Sequence, residues 1–365
     1  MRSPTPILIA DLSRFDTLID ARTPAEFAID HIPGAINCPV LDNDQRVIVG
    51  TLYRQEGAFA ARRVGGAMVS ANIARHLEDS FADKPAHWKP LVYCWRGGLR
   101  SGSLVTVMRL VGWDAQQLSG GYKTWRRHVI AQIESLCPQL DLRVLVGATG
   151  SAKTRILQAL EAQGHQVLDL EEFAAHKGSL LGALPGRPQP SQTAFETHIA
   201  EVLDRVDLSR PLFVEGESRK IGRIALPQPL VDRLRASDCI EIDATAEARL
   251  AYLLRDYGYV GTDPAALSRQ LALLTELHGK IVVGQWQQWA EQGDLAPLVQ
   301  QLIALHYDPA YARSQSTNFS RWGMRKTLVT DDLSDEAIGR LAGEVAAVAT
   351  VATPASATAT AATTT

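Results

Sequence analysis

Leu142-Arg-Val-Leu-Val146 runs straight into Gly147-Ala-Thr-Gly150-Ser-Ala-Lys153-Thr154, and a helical pattern starts at Thr154. No other stretch limits the fold as tightly. A short apolar strand, a glycine-containing loop and a helix, in that order, fit a parallel sheet with helices on its faces. The backbone N–H groups of such a loop converge at the positive end of the helix, where a phosphate is bound. Lys153 would neutralise a diphosphate and Thr154 could hold Mg²⁺. The diphosphate set is therefore Gly147, Thr149, Gly150, Ser151, Ala152, Lys153 and Thr154. Ala152 stands where such loops have glycine, and its methyl is expected to be tolerated if residue 152 keeps a negative φ.

A second strand–loop–helix unit lies upstream. Pro90-Leu-Val-Tyr93 ends at Cys94, followed by Trp-Arg96-Gly97-Gly98-Leu-Arg100-Ser101 and a helical stretch to Val111. A loop there aims backbone N–H groups at one sulfur, and Arg96 and Arg100 add full charges. Such surroundings lower a thiol pKa and stabilise an anionic adduct such as a persulfide. Cys94, Arg96, Gly97, Gly98 and Arg100 form the candidate catalytic set. The four cysteines contain no CxxC spacing, so no zinc site or disulfide framework is legible.

At 365 residues the chain suggests two domains. We place the first at 8–136 and the second at 137–345, with a mostly helical segment at about 264–306 and a disordered Ala/Thr tail at 350–365. Leu18–Asp20 and Leu118–Gly121 read as further strand ends in the first domain. Gln166–Leu170, Leu212–Glu215 and Cys239–Asp243 read as strands in the second, and Ala246–Tyr257 as a helix. Leu267, Leu271, Leu274 and Leu277 share one helical face, and Trp286 and Trp289 read as packing residues.

Basic and acidic residues number 37 and 40, divided as +3 over residues 1–137 and −6 over 138–365. A nucleic-acid contact would need a confined basic patch, with Arg126, Arg127, Arg219, Lys220 and Arg223 as candidates. No apolar run is long enough for a membrane span, and the N-terminal run before Asp11 is too short for a secretory leader. A cytoplasmic protein without membrane contact is expected. Asp169 and Glu171 end one strand and Glu215 and Glu217 another, and either pair could sit over a metal at the phosphate loop. Glu217-Ser-Arg219-Lys220 is a dense charged cluster with a possible role there.

Asp20-Ala-Arg22, Glu26-Phe27 and His31-Ile-Pro-Gly-Ala35, with the Cys94 loop, resemble the rhodanese family. Rhodaneses carry sulfur or selenium on the loop cysteine, and Asp20 and Arg22 would brace that loop. Most have four residues between the cysteine and the closing arginine. This chain has five, as in the related cell-cycle phosphatases. A rhodanese module followed by a phosphate-loop module resembles the bacterial tRNA 2-selenouridine synthases over roughly residues 5–330. The specific segments are YCWRGGLRS, GGYKTWR, GATGSAKT, DLEEFAAHKGSLLG with QPSQTAFE, FVEGESRKIG and HYDPAY. VGTLYRQEGAFAARRVGGAMV, with Gly65, looks like that family's insertion between rhodanese strands.

The resemblance implies replacement of sulfur by selenium in a wobble 2-thiouridine of tRNA. The co-substrates it implies are selenophosphate and geranyl diphosphate, with S-geranylation making the sulfur a better leaving group. Cys94 would hold selenium as a selenenylsulfide, and an enzyme supplying selenophosphate would be a partner. Two other readings stay open. One is a phosphatase or arsenate-reductase-type enzyme, from the cysteine-loop spacing. The other is a small-molecule kinase with a sulfur-carrier domain, in which the Arg249/Arg255 helix serves as the lid; ATP would then occupy the phosphate loop.

Overall fold

The computed structural model describes residues 6–256 and 258–350. They form two compact units, 6–136 with 189–205, and 137–188 with 206–350. The second unit thus starts at Cys137, but the chain does not change unit only once. Residues 189–205 return to the first unit, a departure from the continuous 137–345 domain expected above. The cause is the helix Gln192–Leu203, which buries Phe195, Ile199, Ala200 and Leu203 and packs on the helix Gly121–Leu136. Gln132 donates to the Ala200 carbonyl at 3.3 Å and Thr197 to Asp30 at 3.1 Å. An amphipathic pattern announces a buried face but not which sheet it covers. Residues 351–365, most of the expected disordered tail, lie outside the described residues.

In the first unit, β1 (Thr17–Asp20), β2 (Ile36–Asn37), β3 (Pro90–Tyr93) and β4 (Gln116–Gln117) form a parallel sheet of order β2-β1-β3-β4. Every residue of β3 is buried, so this strand is apolar throughout rather than alternating. Ile19, Val92, Leu104, Met108 and Trp113 are among its core residues. The strand expected to end at Gly120-Gly121 stops at Gln117. Both glycines adopt positive φ, and Gly121 opens the next helix.

The second unit holds β5 (Leu142–Val146), β6 (Gln166–Leu168), β7 (Leu212–Glu215), a small hairpin of β8 (Lys220–Ile221) and β9 (Ile224–Ala225), β10 (Asp238–Ala244) and β11 (Lys326–Thr330). Its main sheet is parallel, of order β11-β10-β5-β7-β6. β6 ends two residues earlier than expected because Asp169 caps the helix Leu170–Ala174. A separate apolar cluster around the fully buried Trp286 holds the helical segment together, with Leu267, Leu271 and Leu274 inside it. Leu277 does not join that face and is 63% exposed. Tyr257, the expected end of the helix that begins at Ala246, lies outside the described residues.

Both units set their glycine loops at the carboxyl edge of an interior strand, where parallel sheets bind ligands. Ala152 does not meet the condition of negative φ set for its methyl: it is left-handed at φ 57° and ψ 25°, the residue just before the helix Lys153–Ala162. That conformation costs a non-glycine residue roughly 1–2 kcal/mol. The methyl is buried in the core of the second unit, which returns about 0.8 kcal/mol. A glycine would also add about 0.4–1 kcal/mol of unfolded-chain entropy to be lost. These terms nearly cancel, which explains how alanine is accommodated. Ala152→Gly should therefore shift the unfolding free energy by less than about 1 kcal/mol, whereas Ala152→Val should lose about 2 kcal/mol or more. Denaturant titration of the two purified variants checks this, and an equal loss in both would refute the cancellation.

Candidate functional site

Cys94 follows the last residue of β3 and is 3% exposed, at the floor of a loop that closes into the helix Leu99–Val111. Gly98 donates its N–H to the Cys94 Sγ at 3.3 Å and Ser101 donates its hydroxyl at 3.1 Å. Gln117, at the end of β4, donates to the Ser101 hydroxyl at 2.7 Å and to the Gly98 carbonyl at 3.0 Å. A chain of donors therefore runs from β4 through Ser101 to the sulfur. Gly97 has φ 65°, and a Cβ there would stand 2.8 Å from the Leu118 carbonyl oxygen. A Cβ on Gly121 would meet the Cys94 carbonyl oxygen at 2.2 Å, so the loop and the next helix touch backbone to backbone.

Burial pushes the Cys94 thiol up, but hydrogen bonds from Ser101 and Gly98 and the Arg100 charge outweigh it. The thiol ends below its ordinary value. Burial alone acts on Cys137 and dominates at Cys38 and Cys239, and all three are pushed up to about 12. Cys94 is the cysteine set apart. Arg100 is clasped by Glu26 at 2.5 Å, while Arg96 is exposed at the rim beside Trp95. Asp20 and Arg22 form a buried pair at 2.6 Å. Arg22 also donates to the Asp30 carbonyl at 2.6 Å and lies over the Tyr122 ring at 3.8 Å. They brace the elements around the loop. Gly65 lies away from the sulfur, in the helix Ala58–Glu78. A Cβ there would come within 3.1 Å of Val49, so its lack of side chain lets two helices approach.

In the second unit, Gly147 and Gly150 both have positive φ, and the loop wraps toward the start of the helix Lys153–Ala162. Lys153 Nζ donates to the Gly147 carbonyl at 2.9 Å. The Ser151 hydroxyl is buried and has no hydrogen-bond partner among the described residues. Thr154 donates to Glu171 Oε2 at 2.8 Å, and the Glu171 N–H donates to Glu215 Oε1 at 2.7 Å. The carboxylate on Thr154 is thus Glu171. Asp169 instead accepts from the Glu172 N–H at 2.8 Å as a helix cap. Burial raises all four acids, with repulsion from neighbouring carboxylates adding to it at Asp169, Glu215 and Glu217. Glu215 lies well above its usual range, Asp169 at about 6 and Glu217 at about 8, while Lys153 and Thr154 partly offset the rise at Glu171. Arg219 donates to Gln228 at 3.0 Å, apart from the phosphate loop.

A cleft of about 640 Å³ opens over the loop, with Thr149, Lys153, Thr154, Glu171, Glu217 and Tyr307 among its walls. Lys177–Leu180 and the helical turn His306-Tyr307 complete it, positions that motif spacing had not assigned. Next to it runs a narrow slot of about 50 Å³ whose walls include Leu181, Leu253, Leu267, Leu298, Val299 and Ile303. Thr149, Ser179 and Tyr307 line both spaces. The Arg249 guanidinium is held by the Thr149 carbonyl at 2.9 Å and by Asp308 at 2.6 Å. Among the basic candidates, Arg126 is committed to Glu196 and, at 3.8 Å, to Asp30. Among the described residues no cluster of three or more His, Cys, Asp or Glu side chains could hold a metal, and no helix is long and apolar enough to cross a membrane.

Residues 7–128 match the rhodanese-like domain family and residues 140–270 match the tRNA 2-selenouridine synthase AAA domain family. The chain is 38% identical over 257 residues to the tRNA 2-selenouridine synthase of Nitrosomonas europaea, covering 69% of this chain and 65% of that one. With the enzyme of that name from Cupriavidus pinatubonensis the identity is 32% over 358 residues, covering 87% of this chain and 94% of the relative. The match to the Nitrosomonas eutropha relative, 36% identical, covers 66% of this chain and 62% of that protein. The chain therefore spans somewhat under two thirds of the two Nitrosomonas proteins and nearly all of the Cupriavidus one.

Ser101 and Gln117 carry the sulfur's hydrogen-bond supply, and their removal should move its acidity. Ser101→Ala deletes a donor to the thiolate, so the Cys94 pKa should rise and alkylation by iodoacetamide at pH 7 should slow about tenfold. A pH–rate profile with peptide mapping reads this at Cys94, with the three remaining cysteines silent. An unchanged profile would mean that Ser101 does not stabilise the thiolate.

Proposed function

The chain belongs to the tRNA 2-selenouridine synthase family, and from that premise we propose that it exchanges sulfur for selenium in a wobble 2-thiouridine of tRNA. On this reading it is a transferase with two activities. The phosphate-loop unit attaches a geranyl group from geranyl diphosphate to the sulfur, and the Cys94 unit handles selenium from selenophosphate. One observation favours a prenyl diphosphate over ATP at the loop: the apolar slot that shares Thr149, Ser179 and Tyr307 with the phosphate cleft. A nucleoside would bring ribose hydroxyls and ring nitrogens to leucine side chains, whereas a hydrocarbon tail needs no hydrogen bond there.

In the first step the thiouridine sulfur forms a bond to the allylic carbon as the carbon–oxygen bond to diphosphate breaks, and the base loses its ring N–H proton. The loop amides and Lys153 stabilise the departing diphosphate. Thr154 and Glu171 are the residues that would hold Mg²⁺, which when bound would supply further charge neutralisation. In the second step the selenium of selenophosphate bonds to the ring carbon, and the carbon–sulfur bond breaks with departure of geranylthiol, a better leaving group than a thiocarbonyl sulfur. Water then cleaves the selenium–phosphorus bond, releasing inorganic phosphate and leaving the selenouridine. Selenium enters and sulfur leaves at the same oxidation level, so the exchange as a whole needs no oxidant. The Cys94 loop offers amide and hydroxyl donors to an anionic selenium species, and the cysteine contributes a stabilised thiolate. A selenophosphate-supplying enzyme is the natural partner for so reactive a donor, in the bacterial cytoplasm.

The kinase reading loses support because Arg249 is committed to Thr149 and Asp308 and Arg255 donates to the Leu333 carbonyl at 2.8 Å. A phosphatase reading retains only the five-residue loop spacing.

The two activities should separate by mutation. Cys94→Ser should stop selenation but leave geranylation, so geranylated tRNA accumulates. Lys153→Ala should impair geranylation and, through it, selenation, and pre-geranylated tRNA should rescue Lys153→Ala only. Nucleoside mass spectrometry with each co-substrate added separately decides this. Loss of geranylation in folded Cys94→Ser would refute the division of labour, and normal geranylation by Lys153→Ala would return the loop to ATP.

Val299 tests the slot. Val299→Phe should raise the KM for geranyl diphosphate by about tenfold or more while leaving the affinity for inorganic pyrophosphate unchanged. An unaltered KM would remove the slot from the substrate site.

A further inference from the structure

Two helices, Asn43–Gln55 and Ala58–Glu78, stand between β2 and β3 of the first unit, joined through Glu56 and Gly57. They pack closely against each other, with Val49 facing Gly65, eight residues to either side of Gly57. Across residues 43–78 stand Arg46, Arg54, Arg62, Arg63 and Arg75 against Asp44, Glu56 and Glu78. Asp44 and Glu78 lie at the helix ends away from the turn, so the excess of arginine falls toward the turn. The whole chain is net acidic at −3, so this hairpin concentrates positive charge that the rest lacks. Arg54, Arg62 and Arg63 are exposed and make no hydrogen bond or ion pair among the described residues. Tyr53 and Phe59 flank the turn at 61% and 81% exposure. On the second helix Phe59, Arg62, Arg63 and Gly66 recur at three- and four-residue spacing, so they share one solvent-facing side.

Two exposed rings and three uncommitted guanidiniums at one end of a hairpin are not a stabilising arrangement. Burial gains are forgone at the rings, and like charges are crowded. The combination does match one kind of occupant. An unpaired polynucleotide presents faces that stack on aromatic rings and phosphates that neutralise arginines. A protein partner with an acidic surface would take the arginines but would not need exposed rings on both sides of a sharp turn. The second helix of the hairpin also packs on the helix Leu99–Val111, whose first turn closes the Cys94 loop, and Trp95 and Leu99 are exposed at that loop's rim.

We propose that the tip of this hairpin, Tyr53, Arg54, Phe59, Arg62 and Arg63, is the surface that grips the single-stranded loop of the RNA substrate. The assignment rests on the reading of the chain as an RNA-modifying enzyme and adds the place where RNA is held. Bases stack on Tyr53 and Phe59, and the three arginines follow the backbone.

The test uses the full chain and an unmodified tRNA transcript, followed by fluorescence anisotropy across a salt series. The triple reversal Arg54→Glu, Arg62→Glu, Arg63→Glu should lower affinity at least about tenfold at 0.1 M salt and flatten the log–log salt slope by about 2. Tyr53→Ala with Phe59→Ala should lower affinity about fivefold or more and leave the slope unchanged. The milder triple change of the same arginines to Gln should lose part of the affinity and guards against a misfolded reversal. Unchanged pyrophosphate binding by each variant confirms an intact second unit. Variants that bind the transcript as the parent does, with the same slope, overturn the proposal. So does a reversal that dissociates a dimer while keeping tRNA affinity, because the face then belongs to a second copy. A parent chain that binds no tRNA at all refutes the RNA-substrate reading itself, a result distinct from either.

Discussion

Everything functional in this chain depends on strands that are buried from both sides and end abruptly. β3 is apolar, and β5 is apolar but for the half-buried Arg143, as strands covered on both faces are, and a strand so placed has only its carboxyl end free to meet a ligand. At that end the backbone must turn within a few residues into a helix, which places unpaired N–H groups around a small volume. In the first unit the volume is taken up by a sulfur; in the second it opens into a cleft of about 640 Å³. The same geometric necessity produces two amide-lined loops, and on the proposed reading residue type at each loop decides which anion it serves.

Charge at the two loops is balanced differently, and the difference suits the chemistry. At Cys94 the Arg100 charge is paired with Glu26. The thiolate is therefore stabilised chiefly by short-range hydrogen-bond donors whose reach is limited to the sulfur. At the phosphate loop Lys153 faces acids whose burial and mutual repulsion favour their protonated forms. Raised pKa values at Glu215 and Glu217 lessen the negative charge beside Lys153. Under the proposed chemistry that eases the approach of an anion, while Glu171 on Thr154 remains the carboxylate for a cation.

How much of this was legible in the sequence follows from how local each feature is. β3, β5 and β7 were readable to the residue, because an apolar run bounded by a glycine loop or a turn is a local signal. The Cys94 and Gly147–Thr154 loops were readable for the same reason. Gln117 was not, because it reaches Ser101 from another strand and nothing in its neighbours marks it. Glu171 was seen only as one of two acids at a strand end. The one-residue choice between it and Asp169 is made by the helix cap, which turns Asp169 back onto Glu172. The condition of negative φ set for Ala152 came from sterics alone, and core burial of the methyl, which offsets left-handed strain, is not marked in the local sequence. The return of residues 189–205 to the first unit depends on pairing between distant helices, which periodicity does not encode. The strand β11 and the helix Asp335–Thr350 lay beyond the last segment with a recognisable pattern.

The two anion sites are each complete within their own unit. Gly98, Ser101, Gln117, Arg100 and Glu26 all come from the first, and the residues lining the phosphate cleft and the slot all come from the second. The donors named at each loop come from its own unit, so under the proposed chemistry each loop serves one reaction: one holds a soft, polarisable selenium anion, the other a hard, highly charged leaving diphosphate. Under the proposed chemistry the alkylated base is the only thing that has to pass between them. That transfer asks for an RNA-holding surface outside both loops, because a base released from one loop must stay bound while it reaches the other. The exposed rings and uncommitted arginines of the hairpin between β2 and β3 fit that requirement, since stacking and phosphate contacts restrain a strand without fixing which base it presents.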